Sequence, residues 1–203
     1  MKNVSATRQN SGFTLIELIV VIVIVGILAT LGGREYAKYE QKAEASQITS
    51  IISMIDGEIN SLAKVHRFAN CATTTRLATS GNNMLDVLYG GEAYVATAMV
   101  SAYNNEPKSN LSKVLTQLTG ASSGTAGTYA VGKYPITIQT CTATENIYRL
   151  TQIPTATLEA VLFKDYKNLS TNFAPATAVT TGPIRYSAAD SNGEHQVDFY
   201  VKR

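Results

Sequence analysis

Between Phe13 and Gly33 run twenty-one residues, and Glu17 alone among them is charged. As a helix the run is roughly 31 Å long at about 1.5 Å per residue, close to the thickness of a bilayer's hydrocarbon core. Apolar all round, it needs lipid or other protein to cover it. A charge at the centre of such a span costs roughly 2.5–3.5 kcal/mol, and charges kept there mark function. Glu17 lies near one end of the run. The nearest basic residue on its C-terminal side is Arg34, seventeen residues or about 25 Å along the helix. The expectation is that Glu17 finds no partner within its own segment and needs one from outside it.

Met1–Gly12 is polar, carries Lys2 and Arg8, and contains no apolar stretch of its own. An ordinary secretory signal places its apolar region before the cleavage site and loses it; here the apolar run follows and would be kept. Positive charge ahead of the span predicts residues 1–12 on the cytoplasmic side and the remainder outside. The pI near 8.5 suggests a nucleic-acid partner. Without Lys2 and Arg8, however, basic and acidic residues balance at fifteen each, which removes the compositional case.

Both cysteines, Cys71 and Cys141, fall in the part expected outside. An even count in an oxidising compartment reads as one disulfide, whose loop of about 70 residues contributes roughly 4 kcal/mol in the chain-entropy picture. Two buried free thiols are the alternative. A metal site is the weaker reading, since His66 and His195 are the only histidines and no Cys-x-x-Cys spacing occurs.

Past Leu31 the helical period continues but the chemistry changes. Ile48, Ile51, Ile52, Ile55, Ile59 and Leu62 form one apolar stripe, so residues 34–67 read as the amphipathic half of a single helix from Phe13 to about His66. Gly32-Gly33 at the join costs on the order of 2 kcal/mol against Ala and is a predicted bend. A polar loop follows, with a short helix at Met84–Leu88. Glu92–Tyr103 and Ser109–Leu118 have helical composition and are separated by Pro107.

Strands come next. Tyr129–Val131 and Pro135–Thr140 flank a Gly132-Lys133 turn, and Asn146–Ile153 alternates up to Pro154. Thr155–Asn168 returns to helical spacing, with Thr155 or Thr157 as cap. Pro183–Tyr186 and Gln196–Val201 form a closing hairpin around Asp190–Glu194. The fold class expected is α+β, with the amphipathic helix covering one face of an antiparallel sheet of four or five strands.

No catalytic, cofactor-binding or metal-ligating set emerges. His66 and His195 read as capping or surface residues. Asp190-Ser191-Asn192-Gly193-Glu194 has calcium-like oxygens, but its Gly stands fourth, whereas an EF-hand loop has it sixth. A plain Asn-Gly turn is the better reading. Gly120–Gly127 lacks the Gly-Lys-Ser/Thr of a phosphate loop. Asn110-Leu-Ser112 and Asn168-Leu-Ser170 fit a sequon that carries little weight here.

Ser11-Gly12-Phe13-Thr14-Leu15-Ile16-Glu17-Leu18 before a Val/Ile-rich run resembles the class III signal of type IV pilins and their pseudopilin relatives, and Tyr36–Tyr39 and Ala43–Ala45 extend the likeness. The resemblance implies cleavage after Gly12 by a membrane-embedded prepilin peptidase, N-methylation of the new terminus Phe13, and a role for Glu17 in docking subunits into a filament. It implies four regions: a leader (1–12), a membrane and filament-core helix (13–33), an amphipathic half-helix (34–67) and a globular head (68–203). It implies as partners the peptidase, the inner-membrane assembly machinery, lipid before assembly and further copies of the chain, with no cofactor. The precursor would sit in the cytoplasmic membrane and the product on the cell surface. A pseudopilin of a type II secretion system, or a minor pilin, is the rival within the same likeness. Many type IV pilins have Pro where Arg34 stands. The head's size, its strand–Pro–Thr–helix segment and its closing hairpin resemble type IVb pilins, whereas Phe13 and the short leader resemble type IVa, and Cys141 departs from type IVb in preceding the last helix instead of lying near the C-terminus.

Overall fold

The computed structural model describes residues 13–67, 77–106, 111–122, 124–142, 144–165 and 173–203. Two compact units divide the chain, the first ending at Glu40 and the second spanning Gln41–Arg203.

Helix α1 spans Leu15–His66. In the first unit every described side chain from Phe13 to Leu31 is exposed, over a stretch whose mean hydropathy reaches 2.8. This is the one helix among the described residues long and apolar enough to cross a membrane. At the expected bend, Gly32-Gly33, α1 is not interrupted: both glycines are helical, and a Cβ at either would meet open space. A glycine weakens a helix without removing a hydrogen bond, and strong helix formers on both sides carry the ladder through.

In the second unit, the apolar stripe of α1 is buried as its spacing predicts, from Ile48 through Ile59 to Leu62. It shares one core with Ile136, Tyr148, Leu150, Val197 and Phe199 of the sheet. The sheet has six antiparallel strands in the order β1-β2-β3-β4-β6-β5. These are β1 (Leu115–Thr119), β2 (Thr128–Val131), β3 (Tyr134–Cys141), β4 (Glu145–Pro154), β5 (Ile184–Tyr186) and β6 (Glu194–Lys202). The β2–β3 hairpin turns on Gly132-Lys133, with Gly132 at φ 60, a conformation glycine adopts without strain. Along β6, Val197 and Phe199 are buried while Asp198 and Tyr200 on the opposite face are partly exposed. A bulge ends the regular part of β4: the register shifts between Leu150 and Ile153, and Gln152 takes φ 61.

Three expectations change. Leu115–Thr119 is an edge strand paired to β2, where the sequence predicted the end of a helix. Its two threonines favour the pleated surface, and Leu115 alone is buried there, so one inward residue suffices to seat it. The segment expected as one helix over 92–103 is instead two 3₁₀ turns, Gly91–Tyr94 and Thr97–Met99, followed by the short helix α3, Val100–Asn104. The sheet gains a sixth strand from β1.

Helix α2 (Met84–Gly90) begins with a reciprocal cap: Asn83 Oδ1 accepts from the backbone N–H groups of Leu85 and Asp86, and Asp86 Oδ2 accepts from the N–H of Asn83. Helix α4 runs over Thr155–Asp165 and buries Leu158, Val161 and Leu162. The hydroxyls expected to cap it face elsewhere. Thr155 donates to the Gly193 carbonyl and Thr157 to Glu44.

Candidate functional site

The site is the entry to α1. Thr14 stands immediately before the first helical residue, and Glu17 is the third residue inside the helix. The Thr14 backbone N–H and hydroxyl both donate to Glu17 Oε2, at 3.0 and 2.8 Å. In return the Glu17 N–H donates to Thr14 Oγ1 at 3.3 Å. This is a capping box, in which two donors orphaned at a helix start are satisfied reciprocally. It also sets a carboxylate at the positive end of the helix dipole.

The expectation that Glu17 lacks a partner in its own segment is therefore wrong. Its signature, Thr-x-x-Glu ahead of an apolar run, was present in the sequence. Only one carboxylate oxygen is used this way; Oε1 makes no hydrogen bond among the described residues. Phe13 precedes the helix with its side chain 88% exposed. Gly12 lies outside the described residues.

Elsewhere the sequence-stated candidates separate. Cys141 ends β3 and is buried, while Cys71 lies outside the described residues, as do Asn110 and Asn168 of the sequon matches. Both histidines are buried, which removes the surface half of the expectation that each caps or lies at the surface. His195 Nδ1 bonds the Ser187 carbonyl at 2.8 Å and Nε2 meets the Thr155 hydroxyl at 3.0 Å, with Tyr186 edge-on at 5.9 Å between ring centres. The ring thus ties β6 to α4 and the preceding loop. Asp190 forms an Asx turn: its Oδ1 accepts from the N–H groups of Asn192 and Glu194, which hold its carboxyl below the usual range. No group of three or more His, Cys, Asp or Glu among the described residues is placed to hold a metal ion.

Three carboxylates in the second unit were not singled out by sequence. Glu44 of α1 pairs with Lys133 at 2.6 Å and accepts from Tyr134 at 2.6 Å and Thr157 at 3.0 Å. Burial works to raise its pKa, but the hydrogen bonds from Lys133, Tyr134 and Thr157 outweigh burial and lower it. Asp56 of α1 is buried and accepts from Asn60, Asn146 and Tyr148. Asp86, fully buried, accepts from Tyr129 and from the N–H of Gly127, fixing the loop before β2 to α2. The sequence signal for Asp56 was an acid directly after Ile55 of the stripe, with Glu58 as the other acid before Ile59.

Compared with known proteins, residues 7–32 match the family model of the prokaryotic N-terminal methylation motif. The matched stretch contains Gly12, Phe13, the capping box and most of the apolar run. The chain thus carries a class III signal, and its N-terminal segment is of the type IV pilin and pseudopilin kind. A long N-terminal helix over an antiparallel sheet is a pilin-like α+β architecture. No curated protein and no solved structure matches the chain.

Proposed function

We propose that the protein is the structural subunit of a type IV pilus. In this reading the precursor sits in the cytoplasmic membrane with its head outside, prepilin peptidase removes residues 1–12, and Phe13 becomes the N-methylated terminus. The mature chains then leave the lipid and pack their apolar helices into a surface filament, passed on by the inner-membrane assembly machinery. The observation that carries the reading is the methylation motif joined to a fully exposed apolar helix whose sole charge is held at its entry. Such a helix needs new neighbours on leaving lipid, and a contact between two different faces of identical chains propagates into a fibre.

Glu17 has a docking role here. Oε2 is engaged by Thr14, which fixes the carboxylate's direction and leaves Oε1 for the Phe13 amine of a neighbouring subunit. An ion pair formed away from water fixes register more than it adds stability. The Cys71–Cys141 disulfide belongs to the same proposal, as a staple of the exported head.

N-terminal sequencing of the membrane form is the test, with N-methyl-Phe13 as the expected first residue. A chain still starting at Met1 overturns the proposal. Glu17→Ala is expected to leave insertion intact and to abolish or slow assembly. Sheared fibres with this chain as their main component support a pilus subunit. A chain confined to short periplasmic assemblies supports the pseudopilin instead.

A further inference from the structure

The sheet face turned away from α1 carries a charged row. Alternation along β6 buries Val197 and Phe199 and puts Gln196, Asp198 and Tyr200 on the opposite face. Arg149 of β4 and Arg185 of β5 stand on either side of Asp198, since each is its direct partner across the sheet. Val179 and Tyr186 exchange backbone hydrogen bonds at 2.9 and 3.0 Å, which extends this face past β5 and brings Thr180 beside Arg185. A recess of about 290 Å³ opens there, with Thr180, Arg185, Asp198 and Tyr200 in its lining.

Asp198 has an arginine on each side and pairs with one of them. Arg149 Nε and Nη2 donate to its two oxygens at 2.7 and 2.8 Å, a bidentate pair. The amide oxygen of Gln196, turned toward the same guanidinium, accepts from Arg149 Nε at 3.1 Å and Nη2 at 3.3 Å. Arg185 is left out of this arrangement. Its guanidinium lies over the Tyr200 ring, 3.6 Å from the centroid, and its Nε donates to the Gly182 carbonyl at 3.4 Å. Nη1 and Nη2 of Arg185 make no hydrogen bond among the described residues. Stacking on Tyr200 holds the planar fork in place without neutralising it. Two guanidinium groups against one carboxylate leave a positive charge on this face, and Asp198 is the one acid among the residues lining the recess.

We propose that this recess binds a small oxyanion ligand, a carboxylate or phosphate taken by Nη1 and Nη2 of Arg185, with the Thr180 hydroxyl as a further donor. A guanidinium fork meets two oxygens of such a group at once. The volume lies at the lower end of small-ligand pockets, which suits a ligand of monosaccharide size or less. Acidic saccharides and simple phosphate share this chemistry. The site is independent of filament assembly, since every residue it uses lies in the second unit.

The test is an NMR titration of the full chain in uncharged detergent, at constant ionic strength, with glucuronate, inorganic phosphate and glucose as probes. The Arg185 Nε–H and the Ala178 methyl, both at the recess, are expected to shift and saturate with glucuronate or phosphate and to ignore glucose. Tighter glucuronate binding identifies an acidic-saccharide site, and phosphate binding at least as tight a simple oxyanion site. Arg185→Gln is expected to weaken binding at least about tenfold, the order for losing charge-assisted hydrogen bonds, while Lys113→Gln outside the recess leaves it unchanged. Arg185→Gln also uncovers Tyr200, so Arg185→Lys is the second variant. It keeps the charge, loses the fork and is expected to weaken binding several-fold with the Ile184 and Val197 core methyls unmoved. Shifts that never saturate, an equal response to glucose, parental binding in Arg185→Gln, or an equal loss in Lys113→Gln overturn the proposal.

Discussion

Tyr148 on β4 donates its hydroxyl to Asp56 of α1 at 2.8 Å, and Asn146, two residues earlier on the same strand, donates to the same oxygen at 2.6 Å. Asn60 takes the other oxygen at 2.7 Å. Arg203 in turn donates to Asn60 at 2.8 Å and to the Thr142 carbonyl at 2.9 Å, drawing the end of the last strand into the cluster. A buried carboxylate with three donors is satisfied only while helix and sheet keep one relative position. Burial first, and then the charge of Asp56, push the Tyr148 hydroxyl well above the usual phenol range, so it stays a donor at any working pH.

Removing this hydroxyl tests the cluster. Tyr148→Phe is expected to destabilise the head by roughly 1.5–3 kcal/mol, the range for a hydrogen bond to a charged group. Asp56→Ala should cost more, because it removes the acceptor of the buried Tyr148 hydroxyl and one acceptor each from Asn146 and Asn60 at once. Thermal unfolding of the full chain in uncharged detergent, followed by near-UV circular dichroism, reads both. A Tyr148→Phe midpoint equal to the parent's would show that the bond contributes nothing net.

Glu44 gives a pH prediction. Its folded pKa lies below the ordinary glutamate value of about 4.5, so its contribution is present above that value and fades as pH falls through the folded pKa. The head should therefore lose stability as pH drops below about 4.5, and Lys133→Met should flatten part of that decline. Midpoints measured across the acid range test it. An unchanged slope in Lys133→Met would remove the Glu44–Lys133 pair from the acid response. The pair is partly exposed to solvent, so added salt should weaken it.

What could be read beforehand depended on the range of the interaction. The apolar stripe from Ile48 to Leu62 and the Gly132-Lys133 hairpin were legible because helix period and turn chemistry act over a few residues. β1 was not, since Leu115–Thr119 has no alternation strong enough to outweigh its neighbours and takes its form from pairing with Thr128–Val131. Asp56 and Asp86 find their strand partners about 40 to 90 residues away, and nothing local marks which donor folding will deliver. Thr14 and Glu17 stand three residues apart, so their capping box is a local signal in the sequence, but a cap partners the carboxylate with neutral donors and so leaves its charge without a counterion.

The disulfide is a prediction about residues of unequal standing, with Cys141 buried at the end of β3 and Cys71 outside the described residues. Intact-mass measurement of the exported protein is expected to show two hydrogens fewer than the dithiol form. Cys141→Ser should cost roughly 4 kcal/mol in the chain-entropy picture. A full complement of two alkylatable thiols without reductant would refute the bridge.

The capping box separates two roles that substitution of Glu17 alone confounds. Thr14→Val keeps the side-chain shape but removes the hydroxyl that bonds Glu17 at both its N–H and its carboxylate. Losing an N-cap costs about 1 kcal/mol, so exchange of the Glu17 amide, which the hydroxyl holds, should quicken about fivefold, while Thr14→Ser restores the parent rate. The charge of Glu17 survives in Thr14→Val, with Oε2 still held by the Thr14 N–H and Oε1 left to meet a neighbour's amine. If docking rests on that charge, Thr14→Val should still assemble, with slower or less regular filaments, where Glu17→Ala fails. If the essential contribution is the local cap, the two variants should fail alike and Thr14→Ser should rescue. Filament yield beside exchange rates for the three variants decides between these, because Thr14→Val removes the hydroxyl's half of the box and keeps the charge, whereas Glu17→Ala removes the charge with the carboxylate's half and keeps the bond from the residue-17 N–H to Thr14 Oγ1.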